Sequence, residues 1–328
     1  MLTFLVRRLI GMALVLVVVS FVVFLIFIVV PGGDPAVRIA GRTANDQNIE
    51  NIRKTWGFDE PFYVQYGSMM KKALNGLRPG CCEGQQSELR SQTNQLNVVD
   101  QIRDGLPATL SLSLGAALIW VFFGVLVGII AAATAGRWSD RLITLVALVG
   151  ISMPVFWLGI IARYYLAEGG LMTLFPDGEY VALTDDPVQW FWHLLLPWFV
   201  LAVLFIGFYG RVMRGNILDT INEDFVRTAR AKGLDPRRVM LKHVLRNSLI
   251  PIVTLFGLDF AAVLGGGAIL TETVFDLHGV GQYAAQSIRN FDLPPIMGVT
   301  LYGAFFIVLF SAIVDLLYAY LDPRIRPT

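Results

Sequence analysis

The residues that could do chemistry in this sequence are scattered. The three histidines, His193, His243 and His278, lie far apart, whereas a catalytic zinc site needs about three ligands that converge. The sequence contains no Gly-x4-Gly-Lys-Ser/Thr phosphate loop, no His-Glu-x-x-His pair and no Gly-x-Ser-x-Gly turn. We therefore expect no catalytic residue and no metal site, and any ATP chemistry would have to reside on another chain.

Charged residues inside apolar stretches are the stronger functional candidates. A charge at mid-membrane costs roughly 3 kcal/mol or more on insertion scales, so Asp259, in LFGLDFAAVLGG, needs a physical reason to be there. It could face a wet path and attract an amino group, or it could pair with Arg163 or with another helix. Glu272 and Asp315 lie nearer the ends of apolar stretches, and we expect them to reach the interface. Arg163 could reach the interface in the same way, by extending its long side chain.

A basic segment, residues 211–251, separates two apolar stretches. It carries nine Lys/Arg and four Asp/Glu, a balance typical of a cytoplasmic loop. Apolar residues recur at helical spacing from Asp219 to Lys232, and Gly233 is suited to a left-handed cap. Asp235 can cap a second helix, with Pro236 in its first turn. The segment predicts a helix–glycine–helix elbow at the membrane surface that needs a protein partner.

The composition is that of a membrane protein. Of 328 residues, 55% are hydrophobic and 16% are charged, which is too apolar for a water-soluble core of ordinary design. Lys and Arg are segregated by membrane side, so nucleic-acid binding is not expected. The predicted spans are approximately residues 9–30, 108–133, 142–167, 194–209, 249–274 and 296–320. We predict an all-α polytopic protein with six transmembrane helices and both termini in the cytoplasm.

Two predicted spans contain helix-breaking residues. Pro154 lacks a backbone N–H and should kink the third span, which could shape a pathway or only adjust packing. Gly265, Gly266 and Gly267 stand in the fifth span, where each costs on the order of 1 kcal/mol relative to alanine. We therefore expect either close helix approach or an unwound segment beside a pathway.

The polar segment 31–104 is predicted to form a small extracytoplasmic subdomain. It has nine basic and nine acidic residues, and its length exempts it from strong control by loop charge. Asn48–Trp56 and Phe62–Leu74 should be short helices. In an oxidising compartment, Cys81 and Cys82 could form a disulfide that staples a loop, or they could be an incidental pair. Two neighbouring thiols alone give poor support for a metal site.

These segments predict the organisation of the chain. Residues 1–30 would hold the N-terminus and the first helix, 31–104 the external subdomain, and 105–328 a core of five helices that includes the basic loop 211–250. The segment 168–192 has five acidic residues and no Lys or Arg, so it should lie outside.

The order of residues in the basic loop resembles a known family. DFVRTARAKGLDPRRVMLKHVLRNSLIP is similar to the cytoplasmic loop of ABC importer permeases, most closely that of the dipeptide, oligopeptide and nickel permeases. Arg227-Thr228-Ala229 stand where many importers have Glu-Ala-Ala, and Gly233 is the matching glycine. The general pattern ends in Leu-Pro, whereas here Leu245 is followed by Arg246, and proline comes at Pro251. Further similar runs occur in family order: RRLIGMALVLVVVSFVVFLIFIVVPGGDPA, LPATLSLSL, RWSDRLITLVALVGISMPVFWLG, LGGGAILTETVFDLHGVGQ and LLYAYLDPRIR.

This resemblance implies the first of two permease subunits of a type I importer in the inner (plasma) membrane. A second, homologous permease would complete a path for di- or oligopeptides. Two ATPase subunits, carrying ATP and Mg, would dock at the elbows, and an extracytoplasmic peptide-binding protein would deliver the substrate. This chain would bind lipid but no cofactor.

The resemblance also suggests roles for residues of the elbow. Phe225 and Ala229 would be apolar contacts to the ATPase, and Arg227, Arg230 and Lys232 would form a polar rim around them. The full coupling set is Asp224, Phe225, Arg227, Thr228, Ala229, Arg230, Lys232 and Gly233. The candidates for the translocation path are Asp259, Gly265, Gly266 and Gly267.

Other functions are also weighed. A nickel-complex permease of the same fold is an alternative that the sequence does not exclude. An ion-driven secondary transporter should show two inverted halves with discontinuous helices, and the sequence shows no such symmetry. A membrane-embedded enzyme lacks its expected motifs, as described above.

Overall fold

The computed structural model describes residues 2–26, 36–37, 45–76 and 89–321, and these residues are mainly helical. The helices are α1 Leu2–Phe24, α2 Asp46–Trp56, α3 Phe62–Gly76, α4 Val98–Ala133, α5 Trp138–Ser152, α6 Val155–Leu166, α7 Pro187–Thr220, α8 Asp224–Ala231, α9 Pro236–Gly267, α10 Ile269–Phe275, α11 Val280–Arg289 and α12 Leu293–Leu321. The predicted all-α fold is confirmed. The helix α9 includes two π-helical segments, Val239–Leu245 and Val263–Gly267.

Within the described part of the chain, five helices are each long and apolar enough to cross a membrane: α1, α4, α7, α9 and α12. The pair α5 and α6 makes a sixth candidate span, bent by 98°. The break falls at Met153 and Pro154, both of which have extended backbone angles. Proline lacks an N–H and drives the preceding residue out of the helical region. The predicted kink is therefore confirmed, and it is a complete break in the helix.

The helices α4 and α7 pack closely at the centre of the protein. A Cβ atom on Gly124 would lie 2.6 Å from Cβ of Tyr209, and one on Gly128 would lie 2.5 Å from Cβ of Met213. Small residues allow helix backbones to approach in this way within a membrane. Trp120, Tyr209 and Met213 are fully buried between these helices and their neighbours. This close pair forms the central contact of the protein, whereas α1 packs on α12 and α12 packs mainly on α9.

The helix α3 rests on the first span, α1. Ser20 of α1 and Tyr66 of α3 share a hydrogen bond of 2.7 Å between their hydroxyl oxygens. The Tyr66 ring also packs edge-on against Phe21 and Phe24. The two short predicted helices, α2 and α3, are therefore confirmed, and their observed bounds differ from the predicted ones by about two residues. Their extracytoplasmic location remains a prediction. Cys81 and Cys82 lie outside the described residues, so their oxidation remains a prediction.

The second span begins earlier than predicted. Its helix α4 starts at Val98, where the side chain of Asn97 accepts the Val99 N–H at 2.9 Å. Pro107 lies inside this helix instead of opening it. The predicted start near residue 108 is ten residues too late, because the capping Asn97 provides the start signal.

A buried carboxylate holds the turn before α4. Asp292, in the turn before α12, accepts hydrogen bonds from the Ser91 hydroxyl and from the backbone N–H groups of Gln92 and Thr93. An ionised acceptor makes each of these bonds stronger than a neutral one. The turn before α4 is thereby fixed to the start of the last span.

Candidate functional site

The predicted elbow is present as residues 224–238, and it is called the elbow below. Its first helix is α8, Asp224–Ala231. The predicted start at Asp219 is wrong, because α7 continues to Thr220 and a turn then separates the two helices. The helix α7 is therefore followed, after a short turn, by the elbow.

The corner of the elbow is a well-formed helix cap. Gly233 has φ +73°, and its N–H donates to the carbonyl of Arg230 at 2.9 Å. The Leu234 N–H donates to the carbonyl of Ala229 at 3.4 Å. This pair of bonds is the Schellman motif. The predicted left-handed glycine cap is confirmed.

The second helix of the elbow starts as predicted. The Asp235 side chain accepts the N–H groups of Arg237 and Arg238 at 3.0 and 3.3 Å, and Pro236 occupies the first turn. An aspartate at this position and a proline immediately after it both favour helix initiation. The elbow is therefore defined by local capping at both sides of its corner.

The elbow has a buried face and an exposed face. Val226, Ala229 and Val239 are buried against the rest of the chain. Ala229, expected as a contact to a partner, thus supports α8 from within the chain. Phe225 is 42% exposed and Leu241, just beyond the elbow, is 64% exposed. Leu241 was missed by sequence reasoning, because its exposure depends on how α9 packs.

The exposed face is strongly basic. Arg227 lies 3.6 Å from Asp224 in a solvent-exposed pair, which is worth little on its own. Thr228 uses its hydroxyl to bond the Asp224 carbonyl at 2.9 Å, so it supports the helix locally. The exposed basic side chains on and beside the elbow are those of Arg227, Arg230, Lys232, Arg237, Arg238 and Lys242. These cations lie close in the sequence to the two exposed apolar side chains, Phe225 and Leu241.

Polar contacts connect the helix that leaves the elbow to α7. The Asn216 amide donates to the Ser248 carbonyl at 3.2 Å, and the Ser248 hydroxyl lies 3.2 Å from both the Asn216 carbonyl and the Thr220 hydroxyl. Ser248 is buried, so these bonds are protected from water. The helix that leaves the elbow is thus bonded to the end of α7.

A second clamp joins α5 to α7. Arg214 donates to both carboxylate oxygens of Asp140, each at 2.7 Å. The Gly136 N–H donates to the same carboxylate at 2.9 Å. Paired, parallel bonds of this kind are among the strongest in proteins. The broken span is therefore anchored at the end nearest the elbow.

The intramembrane acid Asp259 is paired with another helix. The Tyr209 hydroxyl of α7 donates to Asp259 Oδ2 at 2.8 Å. The alternative partner, Arg163, instead donates to the two Asp177 oxygens at 2.7 and 3.0 Å. The Arg163 guanidinium lowers the pKa of Asp177, which lies in a loop, below its ordinary value. Pairing of Asp259 with Arg163 is therefore excluded.

The glycine triplet Gly265–Gly267 shows both predicted features, close helix approach and an unwound segment. A Cβ on Gly265 would lie 3.1 Å from the carbonyl oxygen of Gly303 in α12, so the two helices touch through their backbones. Gly266 has φ +133°, which is non-helical and interrupts α9. Close approach and local unwinding therefore occur together. The role of Gly265, Gly266 and Gly267 in a path remains a prediction.

The expectation for Glu272 is wrong. This side chain is fully buried and does not reach an interface. Its carboxylate accepts the Thr109 hydroxyl at 2.8 Å and the Gln282 N–H at 2.9 Å. Gly279 and Gly281 leave room for it, because a Cβ on either would contact its Oε2. Glu272 joins α4, α10 and the start of α11. The Asp315 side chain lies outside what the structure describes.

The arrangement defines a polytopic helical membrane subunit with an exposed basic elbow. In the ranges that the structure describes, no three His, Cys, Asp or Glu residues are grouped to hold a metal ion. The chain belongs to the family described as binding-protein-dependent transport system inner membrane component, which matches residues 124–327. The corresponding N-terminal family matches residues 1–113. The protein is a permease subunit of an ABC transporter.

Individual relatives extend this assignment. A probable peptide ABC transporter permease of Sinorhizobium fredii is 36% identical over 98% of this chain and 99% of its own length. A probable D,D-dipeptide transport system permease of Escherichia coli is 37% identical over 96% of this chain and 95% of its own. A solved methionine ABC transporter in an inward-facing conformation shares the fold, with a TM-score of 0.54 at 16% identity, over 67% of this chain and 96% of that one. The predicted type I importer permease fold is confirmed.

Proposed function

We propose that this chain forms half of the translocation path of a peptide importer and couples that path to ATPase subunits through the elbow. The observation that carries the proposal is the exposed surface of the elbow region, where Phe225 and Leu241 are solvent-exposed and basic side chains near them in the sequence are exposed too. Exposed apolar side chains inside a polar rim are typical of protein docking sites. The names of the relatives support a di- or oligopeptide as substrate.

The elbow supports a mechanical role. It is rigidly capped at Gly233 and Asp235, and its second helix continues into α9 without a connecting loop. A displacement imposed on α8 by a partner would therefore move a whole span. The buried bonds of Ser248 would carry the same displacement to α7.

The assignment of the remaining components follows from this role. ATP and Mg would bind to two partner ATPase subunits, because the sequence has no phosphate loop; this chain would hold no cofactor and catalyse no reaction. A second permease would complete the path, and a binding protein would deliver peptide from outside. The basic elbow favours the cytoplasm, and an even number of spans would then put both termini on that side.

The test is co-purification of the tagged chain with its neighbours from mild detergent, followed by ATPase and uptake assays in proteoliposomes. We expect two ATPase subunits and a second permease to accompany the wild-type chain. Phe225→Ala combined with Leu241→Ala removes the apolar anchors. This double variant should therefore lower the amount of ATPase that co-purifies and remove most of the peptide-dependent ATP hydrolysis.

A matched control replaces equally exposed apolar residues away from the elbow. Leu171 and Leu174 lie in the external loop and are more than half exposed, so their change to alanine should leave ATPase binding intact. Recovery of the chain alone as a stable homo-oligomer, or full coupling in the elbow variant, would contradict the proposal.

A further inference from the structure

The carboxylate of Asp259 lies deep within a span. The regular part of α9 begins at Ile250, and Asp259 is nine residues further on, about 13 Å along the helix axis. Eight more residues separate it from Gly267, the last residue of α9. An ionised group at this depth is costly if it faces lipid. Its surroundings must therefore offer compensation.

One side of α9 is covered within the chain. Gly257 packs on Val314 of α12, and Phe260 contacts Phe310 edge-on at 5.0 Å between ring centroids. The opposite side is open. Leu258 is 45% exposed and Ala262, one turn beyond Asp259, is also exposed. Asp259 itself is half-buried, at the border between the two sides.

The protein fills only part of the hydrogen-bonding capacity of the Asp259 carboxylate. The Tyr209 hydroxyl donates to Oδ2, and in the described part of the chain no other hydrogen bond to Asp259 is present. Tyrosine supplies one neutral donor, whereas an ionised carboxylate can accept about four hydrogen bonds. Most of the acceptor capacity of this half-buried carboxylate therefore remains available next to the open side of α9. A cation or water on that side would complete it.

We propose that the open side of α9 borders an aqueous path and that Asp259, held in place by Tyr209, contacts the α-ammonium group of a peptide in transit. The peptide ammonium is the cationic group common to substrates with a free amino terminus, and it carries N–H donors that match the unused acceptor sites. Because α9 continues directly from the elbow, movement of the elbow would also move Asp259. This inference rests on the proposed peptide-importer function.

The first experiment measures the electrostatic environment directly in the assembled complex in proteoliposomes. Cys81 and Cys82 are replaced by serine, and a single cysteine is introduced as Ala262→Cys. Its reaction rates with cationic trimethylammonium-ethyl and anionic sulfonatoethyl methanethiosulfonate are measured without nucleotide and with trapped ATP. We expect the cationic reagent to be favoured, and Asp259→Asn to lower the cation-to-anion rate ratio by about tenfold through loss of a nearby charge.

Leu14→Cys is the matched control, because Leu14 is an exposed residue of another apolar span, α1. If α1 faces lipid there, this cysteine should react poorly with both charged reagents. An unreactive Ala262→Cys in every nucleotide state would overturn the proposal, and so would a rate ratio that Asp259→Asn leaves unchanged. The former result would indicate that the open side of α9 is covered by another subunit.

The second experiment measures peptide uptake per ATP hydrolysed. Asp259→Asn should reduce uptake of a dipeptide with a free amino terminus by about tenfold, the effect of losing one charge-assisted contact, while Asp259→Glu should retain most of it. Equal uptake by Asp259→Asn and wild type would overturn the assignment. If the wild-type complex imports no peptide, the proposed function fails instead. The reagent-rate ratio would still report whether Asp259 faces water.

Discussion

At the scale of single residues, the position of Gly233 has the most specific requirement, because its backbone conformation favours glycine. Its φ of +73° lies in the left-handed region, where a side chain with a branched Cβ is strained by about 1–2 kcal/mol. No atom lies within 4 Å of the position that its Cβ would occupy. The requirement therefore comes from the backbone and not from crowding.

We predict that Gly233→Val uncouples ATP hydrolysis from peptide uptake while the chain still inserts into the membrane. The strain would unwind the corner of the elbow and change the angle between its helices. Gly136→Val is a matched control, because Gly136 has φ +79° and equally open surroundings but lies between α4 and α5. If both variants, or neither, lose coupling, the elbow is not the coupling element.

At the scale of helices, the bond between Asp140 and Arg214 fixes α5 to α7. We predict that Asp140→Asn lowers the melting temperature of the purified complex by a few degrees, because the variant leaves a guanidinium without its charged partner. A thermal-shift assay measures the change. Asp100→Asn should have no effect, since Asp100 and Arg103 form an exposed pair at 3.8 Å. Equal melting temperatures for the two variants would contradict the prediction.

The sequence predicts helices and caps well because their signals are local. The spans are visible as apolar runs, the break at Pro154 follows from a missing N–H, and the cap at Gly233 follows from a single glycine. The order of Asp235 and Pro236 likewise marks where the next helix starts. These features depend on neighbours within a few residues, which sequence patterns capture.

The errors arise where distant parts of the chain meet. Glu272 is buried because Thr109, more than 160 residues earlier, provides its hydrogen bond. Ala229 is buried because other parts of the chain, not α8, cover it. Asp259 is paired with Tyr209 of α7 and not with Arg163, which a loop aspartate occupies. No periodicity in the sequence records these contacts.

At the scale of the whole molecule, charge is distributed very unevenly. The net charge of the chain is +1, yet residues 211–251 alone carry nine basic and four acidic side chains. The elbow therefore presents a local positive field even though the molecule is almost neutral. Such a field should contribute to the attraction of an ATPase subunit whose groove is acidic.

We predict that ATPase subunits bind less tightly as salt is raised from about 0.1 M to about 0.5 M, because mobile ions screen charges over shorter distances at higher salt. The dissociation constant is measured at each concentration. Arg227→Ala combined with Arg230→Ala should flatten this dependence, whereas Phe225→Ala should weaken binding without flattening it. An affinity that is independent of salt would show that the basic rim does not take part.

The bonds between Asp292 and the turn at Ser91 also set an order for biosynthesis. The two residues are 201 positions apart in the chain. When the ribosome has completed α4, the acceptor for this turn does not yet exist. The turn before α4 therefore acquires its final form only after the residues at the entry to α12 have been translated and brought back beside it.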